Sequence, residues 1–349
     1  MKEVIMETEV LKIDRENIDD DIIRKAAELL KRGDLVAIPT ETVYGLGANG
    51  LDEKACLNIF KTKNRPADNP LILHISNKEM LYNLVEDVSE DAKKLMTLWP
   101  GPLTMIFKKS EIIPEVVTAG GDTVAVRFPV DDIARRIIEE ANIPIAAPSA
   151  NISGRPSPTN ASDCYYDLNG KIPLIVDGGD CNIGIESTVI DMSEVTPTIL
   201  RPGFYTLEYI REILPDVVLD DALVDDNKIP KSPGQKYKHY APKARMQVYV
   251  GSRASDFIYK KAKEYENKGL KVGVLVFEED MERFEGFERI SFGDRSDLSQ
   301  MSHVLFTALR KMDKSHVELI LAEGVMDNNL GKSIMNRMKK SAAGNIEYL

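Results

Sequence analysis

The segment Lys61-Thr62-Lys63-Asn64-Arg65-Pro66 places three cations within five positions. Pro66 ends it, so the last of them are expected to project from a loop rather than from a helix face. Arg supplies planar bidentate donors for phosphate and Lys a mobile point charge, and together they could neutralise a polyphosphate. A second segment, Pro148-Ser149-Ala150-Asn151-Ile152-Ser153-Gly154-Arg155-Pro156-Ser157, follows the apolar run Ile143–Ala147. It offers hydroxyls, an amide and backbone N–H groups at a strand's C-terminal end, the edge where open α/β sheets bind ligands. Glu186-Ser187-Thr188 precedes the strand Val189–Asp191, and Arg201-Pro202-Gly203 follows Ile199-Leu200. His74 lies inside Leu71–Ile75, where alternation sets it on the face opposite Leu73 and Ile75. Taken singly, each of these features also fits a solvated charge run or an ordinary polar turn.

Two glycine motifs are decoys. Gly45-Leu46-Gly47-Ala48-Asn49-Gly50 is a literal G-x-G-x-x-G, but Leu71–Ile75 runs into Ser76-Asn77-Lys78 rather than the acidic residue that holds a ribose. Glu41 to Tyr44 also separate Thr40 from the first glycine, so the stretch reads as a permissive glycine loop and a nicotinamide oxidoreductase ranks last. Gly331-Lys332-Ser333 imitates the tail of a P-loop, yet Met326 stands where its first glycine belongs. The histidines 74, 239, 303 and 316 show no metal-ligand spacing with one another or with the cysteines, so no zinc site is expected. Magnesium carried on nucleotide phosphates needs few protein ligands and stays open.

Positioning such groups requires a framework, and 349 residues suggest two domains. Ile22/Ile23, Ala26/Ala27 and Leu29/Leu30 recur on one helical face between Asp19 and Gly33. The strand Leu35–Ile38 then delivers Thr40–Tyr44 into the glycines. A helix near Glu53–Lys61, the strand Leu71–Ile75 and helices at Ser89–Leu98 and Asp131–Glu140 follow. Strands at Ile143–Ala147, Ile172–Val176, Ser187–Met192 and Thr198–Leu200 complete an irregular order that predicts a mixed sheet. From Pro215 to Pro230 there are five aspartates and one lysine, then Ser232-Pro233-Gly234 and Ala241-Pro242, which is linker chemistry. The expected division is residues 1–214, a linker at 215–244, and residues 245–349. After Arg245, apolar runs alternate with amphipathic stretches (248–250, 254–266, 272–277, 298–311, 317–322, 330–340), which predicts a small doubly wound parallel α/β domain.

The 56 acidic and 45 basic side chains give a formal net charge of -11, so polyphosphate and anionic lipid are repelled on average and any nucleotide contact must be local. Stable nucleic-acid binding is therefore not expected, and a nonenzymatic RNA-binding module lacks an arginine-rich arm or an aromatic signature. Three cysteines, Cys56, Cys164 and Cys181, match no C-x-x-C spacing and read as reduced thiols in a cytoplasmic protein. The charged start MKEVIMETEVLKIDREN has neither the apolar core of a signal peptide nor a membrane span.

In order along the chain, Pro39-Thr40-Glu41-Thr42-Val43-Tyr44-Gly45-Leu46-Gly47, Lys63-x-Arg65, Ser149-x-Asn151 and Ser187-Thr188-Val189 resemble the threonylcarbamoyl-AMP synthase family with its YrdC-type domain. Ser232–Pro242 is similar to the interdomain linker of the long, two-domain form, and Gly331 with Ile334-Met335-Asn336-Arg337 to the end of its second domain. The linker departs at Gln235, where Met is common, and at Lys238, where Arg is common. The resemblance implies an α/β fold, with a YrdC-like twisted mixed sheet and helices around a concave cavity, followed by a smaller Rossmann-like parallel domain. It implies that ATP, L-threonine and bicarbonate become threonylcarbamoyl-AMP and pyrophosphate, with magnesium on the phosphates. Downstream tRNA threonylcarbamoyl-transferase proteins would use the product beside the anticodon. Lys63, Arg65, Ser149 and Asn151 match the family's catalytic signature. Thr42, His74, Arg127, Ala147 (through its backbone) and Ser187 match threonine-binding positions. Arg65, Asn69, Thr123, Ser149, Ser157, Arg201 and Tyr240 match ATP-side positions, and the aromatic strip Ser232–Pro242 would act as a lid. A carbamoyl-transfer domain of hydrogenase maturation shares the core but normally sits beside zinc-finger-like cysteines, which this sequence lacks.

Overall fold

The computed structural model describes residues 7–223 and 239–349, which divide into two compact units. The second unit takes in the C-terminal stretch from His239 onward together with Gly154–Pro156 and Ile183–Ile185. Among the described residues no helix is long and apolar enough to cross a membrane.

The first unit carries β1 (Glu9–Lys12), β2 (Val36–Ile38), β3 (Gly45–Asn49), β4 (Ile72–His74), β5 (Leu103–Lys108), β6 (Thr123–Arg127), β7 (Ile145–Ala146), β8 (Leu174–Asp177), β9 (Thr188–Asp191), β10 (Thr198–Arg201) and β11 (Val218–Leu219). They form one sheet in the order β1-β8-β2-β3-β7-β4-β6-β5-β9-β10-β11. Parallel pairs such as β4–β6 and β5–β9 alternate with antiparallel ones such as β5–β6 and β3–β7, so the sheet is mixed, as expected. β11 falls inside the stretch expected to be linker.

Alternation along the strands sorts the two faces. Val36 and Ile38 pack with the helices Asp20–Lys31 and Asp132–Ala141, through Ile23, Ala27, Leu30, Ile133 and Ile137. Leu35, Ala37, Leu73, Met105, Phe107, Val124 and Val126 enter the larger core on the other side. Burying each such side chain contributes about 1.5–3 kcal/mol. The first helix starts where Asp19 accepts hydrogen bonds from the Asp21 and Ile22 N–H groups, and Gly33, at φ 88°, turns the chain out of it.

Two expectations need correction. Gly45–Asn49 is a buried strand and not a permissive loop. Its glycines are there for close approach: a Cβ on Gly47 would lie 3.0 Å from Ile145 Cγ2 and 3.2 Å from the Val36 carbonyl, and one on Gly50 would lie 2.6 Å from Leu73 Cδ2. Lys63, placed by Pro66 on a projecting loop, is instead the last residue of the helix Glu53–Lys63 and is buried. Asn64 takes the left-handed C-cap conformation at φ 51°, so the chain leaves the helix one residue later, at Arg65.

In the second unit, β12 (Arg245–Val250), β13 (Val272–Val276), β14 (Glu288–Ser291), β15 (Leu319–Glu323) and β16 (Ile346–Tyr348) form an all-parallel sheet in the order β14-β13-β15-β12-β16. The helices Ala254–Asn267, Leu298–Lys314 and Asn329–Ser341 connect them, which is the doubly wound pattern predicted from the alternating apolar runs. Gly331 is a packing glycine within the last helix, since a Cβ there would meet the Met326 carbonyl at 2.1 Å.

Candidate active site

Lys63 is 1% exposed, and its ammonium donates to the Ser149 carbonyl and, at 2.5 Å, to the Asn151 carbonyl. In return the Ser153 N–H donates to the Lys63 carbonyl at 2.9 Å. The Ser149 hydroxyl donates to Asn151 Oδ1 at 2.6 Å, and Asn151 Nδ2 donates to the Ile152 carbonyl at 2.8 Å. An isolated bridge between Gly45 and Ser149 ties this loop to the start of β3. Arg65 is half-buried; its Nη2 donates to the carbonyls of Asn69 at 3.2 Å and Pro70 at 3.1 Å, which orients the guanidinium beside the entry to β4. Lys63 and the Ser-x-Asn loop thus form one hydrogen-bonded group, with Arg65 two residues further along the chain.

A second group runs across the sheet. His74 lies directly opposite Arg127, and Arg127 opposite Thr104, so all three side chains emerge on one face. Arg127 Nη1 donates to Thr42 Oγ1 at 2.9 Å, and Nη2 donates to Glu41 Oε1 at 2.6 Å. The Thr40 and Thr42 hydroxyls are 3.0 Å apart, and Thr40 Oγ1 donates to the Val43 carbonyl at 2.6 Å, which shapes the turn that presents Glu41 and Thr42. On the next strand the Thr104 and Ser187 hydroxyls are 2.7 Å apart, and Arg201 donates to the Ser187 carbonyl and hydroxyl, both at 3.1 Å. The Ser157 hydroxyl donates to Glu186 Oε1 at 2.6 Å, linking the end of the Ser-x-Asn loop to the residue before Ser187. Gly203 allows this crossing, because a Cβ there would sit 2.2 Å from the Thr188 nitrogen. Ile72, Ile106, Ala125, Val189 and Leu200 form a small apolar cluster beside the polar row.

Burial, and secondarily the Arg127 charge, pushes the His74 imidazole down to about 3, so it is neutral at physiological pH, with Nδ1 donating to the Ile72 carbonyl at 3.2 Å. The folded protein therefore binds fewer protons here than the unfolded chain, whose histidine titrates near 6.5. This contribution to stability is present above pH 6.5 and is lost progressively towards pH 3. Between pH 6.5 and 5 the loss is on the order of 1–2 kcal/mol. His74→Gln should flatten that part of the curve in urea melts; equal slopes in the two proteins would contradict it.

Two family models cover the chain: Sua5_yciO_yrdC, described as Telomere recombination, over residues 28–203, and Sua5_C, the threonylcarbamoyl-AMP synthase C-terminal domain, over residues 205–343. The threonylcarbamoyl-AMP synthase of Pyrococcus abyssi is 46% identical over 334 residues, spanning 94% of this chain and 96% of its own. The chain belongs to the threonylcarbamoyl-AMP synthase family. The threonylcarbamoyl-AMP synthase of Bacillus subtilis is 43% identical, over 95% of this chain and 96% of its own. In three dimensions the crystal structure of P. abyssi Sua5 complexed with L-threonine matches with a TM-score of 0.92 at 44% identity, covering 98% of this chain and 100% of that one.

Among the residues that match family positions, Lys63, Ser149 and Asn151 share hydrogen bonds, Arg65 donates to the Asn69 carbonyl, and Thr42, His74, Arg127, Ser187 and Arg201 lie along one polar row. Ser157 connects the second set through Glu186. The Ala147 N–H donates to the Ile72 carbonyl at 3.0 Å, so its backbone serves the sheet. Thr123 opens β6 on the same face as Arg127 but at the other end of the strand, about 13 Å away at the rise of an extended chain. Tyr240 belongs to the second unit, where it is buried and stacked on Phe306 at 5.0 Å. The remainder of the expected lid, up to Lys238, lies outside the described residues. Glu41 and Thr104 were given no role from sequence, and Glu186 was noted only as the residue before Ser187. Glu41 was visible only as the acid between two threonines, and Thr104 sits on a strand that the apolar pattern had not suggested.

Proposed function

We propose that this chain is an L-threonylcarbamoyladenylate synthase, a nucleotidyltransferase that joins ATP, L-threonine and bicarbonate into threonylcarbamoyl-AMP with release of pyrophosphate. The observation that carries this reading is the pairing of two groups in one unit: Lys63, Arg65, Ser149 and Asn151 suit phosphate oxygens, and Arg127 with Thr42 and Ser187 suits an amino acid. Threonine's amine, in its deprotonated form, captures carbon dioxide with loss of a proton, or bicarbonate with loss of water, as a carbamate, whose oxygen then attacks the α-phosphorus and breaks its bond to the departing pyrophosphate. The obstacle is an anion approaching a polyanion, so catalysis consists chiefly of charge neutralisation and alignment. Lys63 and Arg65 supply fixed positive charge, the Ser-x-Asn loop supplies donors, and neutral His74 beside Arg127 leaves the guanidinium as the positive charge facing a carboxylate. The cation and hydroxyl donors here fit phosphates rather than a resident metal, and magnesium would arrive on the nucleotide as part of the substrate. The product suits transfer of the threonylcarbamoyl group by separate proteins to adenosine beside the tRNA anticodon. Three buried free thiols, Cys56, Cys164 and Cys181, support a reducing, cytoplasmic setting.

Incubation with ATP, magnesium, bicarbonate and L-threonine should release pyrophosphate and form the adenylate, with no release when threonine is omitted. Threonine-independent release would overturn the reading. Arg65→Ala should reduce the rate by about 100-fold with a smaller effect on the melting temperature than loss of the fully buried Lys63, since the Arg65 side chain is only partly buried.

A further inference from the structure

Glu41 and Arg127 are 5% and 4% exposed and form an ion pair through one carboxylate oxygen and one guanidinium nitrogen, 2.6 Å apart. Arg127 Nη1 is committed to Thr42. Two polar atoms of the pair remain buried with no hydrogen-bond partner: Glu41 Oε2, an acceptor, and Arg127 Nε, a donor. Buried charged groups left short of a partner cost more than neutral ones, so a site holding two of opposite character is built to receive something. The complement is a molecule with a cationic donor and an anionic acceptor close together, which describes an α-amino acid zwitterion. Charge counting agrees. The Glu41–Arg127 pair is neutral overall, and the imidazole that faces it from β4 is neutral too. Such a pocket therefore takes a net-neutral zwitterion more readily than a carboxylate anion.

We infer that Glu41 Oε2 accepts a hydrogen bond from the ammonium group of the amino acid substrate while Arg127 Nε donates to its carboxylate, so that Glu41 selects the amino acid over its analogue lacking the amine. This rests on the threonine reading above and assigns a residue that neither the cation pattern nor the Ser-x-Asn loop includes. It also gives Glu41 two tasks, with Oε1 steadying Arg127 and Oε2 touching the substrate, and these can be separated.

The test compares L-threonine with 3-hydroxybutyrate, which keeps the carboxylate and the hydroxyl and lacks the amine, using calorimetry and ligand-observed NMR on native protein and Glu41→Gln. The glutamine keeps the shape of the side chain and a carbonyl oxygen but removes the charge. We expect L-threonine affinity to fall by about tenfold or more, while 3-hydroxybutyrate affinity does not fall, since without the Glu41 charge the pair is net positive toward its carboxylate. Equal weakening of both ligands would mean that Glu41 acts only by holding Arg127, and unchanged threonine affinity would mean that it does not touch the substrate; either overturns the inference. Should Glu41→Gln fail to fold by circular dichroism, Glu41→Asp, which retains the charge at a shorter reach, must show the same selective loss. Native protein that binds no threonine would instead overturn the threonine reading itself, a result seen before any variant is made.

Discussion

Lys63→Ala is expected to lower threonine-dependent pyrophosphate release by about 100- to 1,000-fold and to lower unfolding free energy by about 2–4 kcal/mol. Both effects come from one position. The ammonium is buried at the end of the helix Glu53–Lys63 and holds the carbonyls of Ser149 and Asn151. Removing it takes the ammonium from the buried Asn151 carbonyl, at a cost of about 1–3 kcal/mol, and from the part-buried Ser149 carbonyl, which keeps the Asn151 N–H at 3.0 Å. It also releases the loop whose Ser149 hydroxyl is aligned on Asn151, so the groups proposed to meet phosphate lose their fixed geometry as well as a positive charge. Pyrophosphate assays and urea melts on the same preparation separate the contributions. A variant that loses stability but keeps activity within about tenfold would show Lys63 to be a structural anchor only. Arg65→Ala is the useful contrast, because its guanidinium makes longer bonds, at 3.1 and 3.2 Å, to part-buried carbonyls, and its loss should register in turnover with a smaller change in melting.

The two units differ in how much of them could be read from sequence. In the second, each apolar run of β12, β13 and β15 is separated by an amphipathic helix, and a parallel sheet needs no other partner information. The short edge strands β14 and β16 carry too few buried side chains to show in the pattern. In the first unit β5 and β6, which hold Thr104 and Arg127, were not anticipated at all. Arg127 entered only through resemblance to a family. Its chemistry depends on lying opposite His74 and Thr104, residues 53 and 23 positions away in the chain, and no local period records such pairings. The same limit explains β3. Glycines that admit Ile145 and Leu73 look, in one dimension, like glycines that free a loop. Lys63 was recognised for its charge but not for its burial, because the carbonyls that accommodate it come from a segment 86 and 88 residues further on.

The largest stability effect is expected at Arg127. Arg127→Met should destabilise the protein by about 3–5 kcal/mol, because it leaves the Glu41 carboxylate buried without its cation. Adding Glu41→Leu should recover most of that loss, since a buried ion pair replaced by apolar groups of similar volume is often neutral or stabilising. The expected pattern in urea melts is therefore a damaged single variant and a double variant close to native. Activity should behave otherwise. Both variants lack the guanidinium proposed to face the substrate carboxylate, so threonine-dependent pyrophosphate release should stay near background in the stable double variant as well. That divergence distinguishes a charge retained for ligand binding from one retained for folding, because a purely structural pair would return activity together with stability. The surrounding geometry favours the first outcome: the Thr42 hydroxyl is held by Thr40 at 3.0 Å, and Ser187 by Thr104 at 2.7 Å and by Arg201, so the neighbouring polar groups keep their positions after the pair is removed. Rescue of folding without rescue of turnover would leave the Glu41–Arg127 pair itself, the two groups proposed to meet the substrate, as what the double variant lacks.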